Sequence, residues 1–126
     1  MREILFRGKS GAKWAYGDLW HLNDGRVTIR KDGEIFPYEV IPETVGQYTG
    51  LTDNNGNKIF EGDIVAGALI WQEKRKNGLV AFKDGSFGLM WYRGGVEQFN
   101  AFTSMCNVEY EVIGNIHDNP DLLKRE

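Results

Sequence analysis

The chain has a single cysteine, Cys106, among its 126 residues, so no disulfide can form within it. With only two histidines beside it, His21 and His117, neither a four-cysteine nor a two-cysteine, two-histidine zinc site can be built, and no metal or cofactor is expected. Proline occurs three times and serine three times, at Ser10, Ser86 and Ser104. No serine sits in a Gly-x-Ser-x-Gly setting, and no Gly-x-Gly-x-x-Gly or phosphate-loop motif appears. Charge of neither sign dominates: 15 Lys and Arg stand against 18 Asp and Glu, a net charge of −3. Long hydrophobic runs are missing too. The longest apolar-plus-glycine stretch, Ile64 to Trp71, is eight residues, whereas a spanning helix needs ~20. No basic start leads into an apolar stretch and a small-residue cleavage site. Together with the lone cysteine, this gives the expectation of a cytoplasmic protein without a membrane partner.

What is abundant points to strands. Val, Ile, Thr, Phe, Tyr and Trp together make 38 residues, against six alanines, and sixteen glycines are spread from Gly8 to Gly114. Branched and aromatic side chains suit a pleated, half-buried surface, while alanine and unbranched residues suit helices. Three Asp-Gly pairs (24–25, 32–33, 84–85) and two Asn-Gly pairs (55–56, 77–78) supply residues that tolerate the positive φ of tight hairpins.

Short alternating runs flank these turns: Val27 with Ile29, Val80 with Phe82, Phe87 with Leu89 and Trp91, and Val108 with Tyr110 and Val112. The pattern predicts strands near 3–8, 13–21, 26–31, 34–40, 57–60, 63–71, 79–83, 86–92, 96–102 and 108–116, a mainly β chain forming a small barrel or sandwich. A short helix is expected at the C-terminus, with Asn119 as cap, Pro120 in the first turn and Asp121 at its positive end. The stretch from Thr44 to Lys58 reads as polar and turn-rich. It marks a weak boundary inside a single domain, between an N-terminal hairpin lobe of about 1–43 and a core lobe of about 44–126.

Few residues offer chemistry. Asp53, Asn55 and Asn57 begin like a calcium loop, but Lys58 stands where that loop needs glycine and Ile64 where it needs glutamate, so a plain hairpin turn is expected. His117-Asp118 has the composition of an acid–base pair and the setting of a solvated turn. No catalytic constellation stands out.

Two basic features could bind. Arg2, Arg7, Lys9 and Lys13 interleave with Phe6, Trp14, Tyr16 and Trp20, the mixture that grips single-stranded nucleic acid by charge and stacking. The same residues equally describe two strands with an aromatic core side and a wet side. Lys74-Arg75-Lys76 reads as a loop tip able to touch phosphate.

Three segments in order carry a resemblance: Met1 to Arg7; Val45-Gly46-Gln47-Tyr48-Thr49-Gly50-Leu51-Thr52-Asp53 followed by Asn55-Gly56 and Ile59 to Val65; and Glu111 to Leu123. Together the chain resembles the YopX family, small proteins encoded mainly by bacteriophages and prophages, with Gly8-Lys9 where that family often carries Ala-Trp. The resemblance implies an SH3-like β roll and a phage setting, and it supplies no activity or catalytic residue.

Its motif residues have physical readings. Asp63 is expected to accept backbone N–H groups at a tight turn into a strand, and Asn115 to pair with loop backbone. Gln47, Tyr48, Thr49 and Gly50 are expected to join Asp63 and Asn115 as a polar cluster, structural or ligand-binding.

The resulting expectation is a non-enzymatic phage accessory protein. It would bind a macromolecule, single-stranded nucleic acid in the sharper version, in the cytoplasm of a host bacterium. The alternatives are a nucleotide- or metabolite-modifying enzyme and an inhibitor of a host protein. Self-association is also expected, because strands near 65–71 and 86–92 carry apolar residues on both faces and edge strands invite pairing.

Overall fold

A computed structural model describes residues 3–67, 76–102 and 110–125 and divides into two compact units, 1–50 and 51–126. Among the described residues, eleven strands make two antiparallel sheets. In the first, β1 (Phe6–Ser10), β2 (Lys13–His21), β3 (Val27–Arg30), β4 (Tyr38–Val40), β5 (Gly46–Thr52) and β6 (Lys58–Phe60) take the order β4-β3-β2-β1-β5-β6. β5 runs through the division at Gly50. The second sheet takes β7 (Asp63–Gly67), β8 (Lys76–Lys83), β9 (Ser86–Arg93), β10 (Val96–Ala101) and β11 (Tyr110–Asn115) in the order β10-β9-β8-β7-β11.

In the N-terminal unit, β1 sits between β2 (Arg7 opposite Tyr16, Lys9 opposite Trp14) and β5 (Phe6 opposite Gln47). The sheet curls until the chain beyond β4 returns to β1. There the Ile41 N–H donates to Lys9 O at 2.9 Å, and the Lys9 N–H donates to Thr44 Oγ1 at 2.8 Å. Inside the curl Val27, Ile29 and Val40 are buried, with Phe6, Ala15, Leu19 and Val45 packed against them. Gly8 makes the tight curl feasible, since a Cβ there would lie 2.9 Å from Val40 Cβ and 3.1 Å from Ile29 Cδ1.

In the C-terminal unit, alternation sends one set of side chains to each face of the second sheet. Val65, Val80, Leu89 and Trp91 bury against Ile59, with Phe102, Tyr110 and Val112 alongside. On the other face Ile64 and Met90, with Leu79, Tyr92 and Phe99, are covered by Ile116, Leu122 and the buried Leu123. The β8–β9 hairpin turns at Asp84 (φ 52°) and Gly85 (φ 82°), the pair of positive φ values that a two-residue turn of matching twist requires.

The structure differs from the sequence expectation in four places. β5 is a strand where a polar, turn-rich stretch is expected, because Gly46 and Tyr48 face inward while Gln47 and Thr49 alternate with them. Residues 34–37 are not strand, and Ile35 and Phe36 stand 83% and 79% exposed. Asn77-Gly78 lies within β8 opposite Ala66 and Val65, not at a turn, and the Asn77 side chain donates to Leu122 O at 2.8 Å. The C-terminal helix is absent. Pro120–Leu122 makes one 3-10 turn with no side-chain cap, and Asn119 Oδ1 instead accepts the Asn115 N–H at 3.3 Å. A longer helix would wind up the residues that must lay Leu122 and Leu123 on the sheet. The parts of the expected strands at 68–71 and 108–109, and Cys106, lie outside the described residues.

Candidate functional site

The Gly11–Ala12 turn joins β1 to β2, and a second turn follows β3. In that turn the Glu34 N–H donates to Lys31 O at 3.0 Å and Arg30 Nη1 donates to Glu34 O at 3.0 Å. These turns and the start of β4 surround a cleft of about 420 Å³ lined by Ser10, Lys13, Trp14, Ala15, Tyr16, Lys31, Glu34 and Tyr38. Two cations, one carboxylate and three aromatic side chains meet there. Lys13, Lys31 and the half-buried Glu34 make no ion pair or side-chain hydrogen bond among the described residues. Elsewhere in the unit, charges neutralise one another. Arg26 Nε meets Asp24 Oδ2 at 2.8 Å and Arg26 Nη1 meets Glu39 Oε1 at 3.6 Å. The Arg26 backbone N–H and then its guanidinium hold the Asp24 carboxyl below the usual range, while that carboxylate raises Arg26.

Of the nucleic-acid contacts singled out in the sequence, Lys13 and Trp14 line this cleft. Arg7 does not. It is only 6% exposed and lies with its guanidinium carbon 4.7 Å from the Trp14 ring centroid, and the Lys9 ammonium is 5.8 Å from the same ring. Register explains the stack, because Arg7, Lys9, Trp14 and Tyr16 alternate with core-facing neighbours on paired strands. Arg7 is therefore corrected from a phosphate contact to a buried cation–π partner. Arg2, Lys74 and Arg75 lie outside the described residues, and Lys76 opens β8 instead of ending a loop.

The motif residues are fixed by backbone. The Asp63 carboxylate, 2% exposed, accepts the Phe60 N–H at 2.7 Å, as the tight turn predicts. Asn115 is its register partner across β7 and β11. Asn115 Oδ1 accepts the N–H groups of His117 and Asp118, at 3.0 and 2.9 Å, and its amide donates to Asp118 Oδ2 at 3.1 Å. So Asn115 binds the turn that follows it, not a distant loop, and Asp118 is turned toward Asn115. Gln47, Tyr48, Thr49 and Gly50 belong to β5, where Tyr48 is buried and its N–H donates to Leu5 O at 2.8 Å. Among the described residues no three or more His, Cys, Asp or Glu side chains group as metal ligands, and no helix is long and apolar enough to cross a membrane.

Sequence reading missed Lys31, Glu34 and Tyr38, which reach the cleft only because the sheet curls. The Asp32-Gly33 turn was the available signal, since it returns Glu34 toward Lys31. A second cavity, about 580 Å³ and mostly apolar, is lined by Asp18, Leu19, Trp20, Leu22, Thr28, Arg30 and Pro37. Trp20 there is 70% exposed.

No curated protein matches the chain. Among solved structures, the crystal structure of protein yopX from Bacillus subtilis superposes with a TM-score of 0.63 at 20% identity, covering 98% of this chain and 100% of that one, a likeness of fold. The family described as YopX protein matches residues 8–124, which takes in both sheets, the curled N-terminal unit with its cleft and the Asp63–Asn115 register pair. On that match the chain belongs to the YopX family.

Proposed function

We propose that this protein is a phage- or prophage-encoded accessory protein without catalytic activity, working in the cytoplasm of a host bacterium. In this reading it binds single-stranded nucleic acid in the cleft of its N-terminal unit, on the SH3-like roll that the family resemblance implies. The observation that carries the reading is the meeting of Lys13 and Lys31 with Trp14, Tyr16 and Tyr38 around one cleft. Cations that track a backbone and rings that stack on bases are the two components of strand binding. The binding residues differ from those legible in the sequence: Lys31 and Tyr38 enter and Arg7 leaves.

The enzyme alternative has less support. It would gather Asp63, Gln47, Tyr48 or His117 in a pocket, whereas the Asp63 carboxylate accepts the Phe60 N–H and Gln47 and the buried Tyr48 belong to β5. A protein-binding reading, including self-association, draws on the exposed Ile35 and Phe36, which precede the Pro37 that lines the Trp20 cavity.

The test is fluorescence anisotropy with labelled 15-nucleotide DNA and RNA strands across a salt series. Two phosphate-neutralising lysines give a log–log salt slope of about −1.4. Lys13→Ala with Lys31→Ala should flatten that slope and weaken binding. Absence of binding at micromolar protein in ~50 mM salt removes the nucleic-acid reading.

A further inference from the structure

We propose that the cleft selects guanine, with Glu34 as the residue that reads the base; this rests on the nucleotide-binding reading of the same cleft. Glu34 supplies the only carboxylate among the lining side chains, is half-buried, and has no side-chain partner among the described residues. Its backbone is held at both ends by the Lys31 and Arg30 bonds, so the side chain is presented from a fixed turn.

An ionised carboxylate only accepts hydrogen bonds, through two oxygens side by side. Guanine is the base whose Watson–Crick edge offers two adjacent donors, the N1–H and the exocyclic amine. Uracil and thymine offer one N–H between two carbonyls that would repel the carboxylate. Adenine and cytosine offer an amine beside a ring nitrogen that is itself an acceptor. A paired carboxylate–base contact therefore forms with guanine alone among the common bases.

The surroundings agree. Tyr16 and Tyr38 present rings for the base, and Lys13 and Lys31 present charge for its phosphate. A cleft of about 420 Å³ suits one nucleotide. In a duplex the guanine edge is already hydrogen-bonded to cytosine, so the contact requires an unpaired base.

The experiment is competition anisotropy on the full chain in ~50 mM salt, with a labelled oligothymidine strand carrying one central guanine, hypoxanthine, adenine or thymine. The guanine strand should bind between about five- and 150-fold tighter than the all-thymine strand, the discrimination of one good bidentate contact. Hypoxanthine, which lacks the exocyclic amine, should fall between them. Glu34→Gln should erase the guanine preference, so that the guanine and all-thymine strands bind with equal affinity. Glu34→Ala, with folding checked by circular dichroism, should do the same.

Guanosine monophosphate is titrated separately by calorimetry. Heat of binding that is lost in Glu34→Gln supports guanine recognition with a free nucleotide as the source, even if no strand binds. Equal affinity for the guanine and thymine strands overturns guanine selection while leaving strand binding in place. No response to any strand or to the nucleotide overturns both readings.

Discussion

The Asp53 carboxylate accepts the backbone N–H of Val112, 3.0 Å away and 59 residues later in the chain. The same side chain holds its own turn, accepting the Asn55 and Asn57 N–H groups at 2.9 and 2.8 Å. The neighbouring Asn54 N–H donates to Tyr110 O at 3.0 Å. The β5–β6 turn thus caps backbone groups along β11. Asp53→Ala leaves part-buried N–H donors without their charged acceptor and should cost about 1–3 kcal/mol, read as a lower urea midpoint. Asp53→Asn keeps one acceptor oxygen and should lose less. A wild-type midpoint in Asp53→Ala would show that water replaces the carboxylate at no cost.

Acid should weaken the protein through the same residue. Burial alone would raise the Asp53 carboxyl, but the N–H groups of Val112, Asn57 and Asn55 outweigh it and hold it below its ordinary value of 3.8. The unfolded chain therefore takes up the proton first as pH falls. The stabilisation is present above 3.8 and is lost as pH drops through that value toward the lower folded one. Urea midpoints measured from about pH 5 to 3 should fall less in Asp53→Asn than in the wild type.

Alkali should act through Tyr110. Burial pushes its phenol up to about 12, and its ring packs edge-on against Phe102 with centroids 5.7 Å apart. The unfolded chain then loses this proton first, so the contribution of Tyr110 is complete below its ordinary value of 10.0 and fades as pH rises toward 12. In phenolate absorbance titrations, Tyr110→Phe should lack one group ionising near pH 12. If the missing group ionises near 10 instead, the ring is not buried in solution.

Gly8→Ala should cost about 1–3 kcal/mol by overpacking. The added methyl meets Val40, whose strand has no room to retreat while Ile41 is bonded to Lys9. Adding Val40→Ala should recover part of the loss because it removes Cγ2, one of the two Val40 carbons the new methyl would strike. Strictly additive effects in the double variant would mean that the contact is not the cause.

Leu123→Ala should cost about 2–3 kcal/mol, because Leu123 is buried against the face that carries Ile64 and Met90. Deleting residues 122–126 should further raise binding of an apolar dye and shift light-scattering mass above that of the intact chain. An unchanged mass and dye signal would show that this face needs no cover.

Apolar residues on both faces of 86–92 were visible in the sequence, and a second copy was one way to cover them. The structure covers one of those faces with Ile116, Leu122 and Leu123 of the same chain. The β8–β9 hairpin was legible because Asp84-Gly85 has both the turn chemistry and flanking period-two runs. Asn77-Gly78 has the same chemistry, yet a long-range bond from Asn77 to Leu122 keeps it extended. β5 was hidden because its inward residues are Gly46 and Tyr48, too few and too polar for an apolar period. Lys13 and Trp14 could be flagged as binding residues from local pattern. For Lys31 and Glu34 the Asp32-Gly33 turn was the one local signal, and Tyr38 had none, since its place beside them depends on the curl of the sheet. Arg7 looked identical to Lys13 in pattern, and only its burial against Trp14 separates them.

The central place of β1 also sets an order of events at the ribosome. β1 and β2 are complete at His21, and their hairpin can pair once both strands have left the ribosome. The opposite edge of β1 waits for Gly46 and Gln47, the residues that pair with Arg7 and Phe6. At about 5–20 residues per second, adding the intervening stretch takes roughly one to five seconds. During that interval the nascent chain presents an unpaired strand edge beside an unfilled apolar face, open to any neighbouring strand. The speed at which residues 22–47 emerge from the ribosome is therefore a control on yield, and slow emergence there should favour aggregates over folded chain.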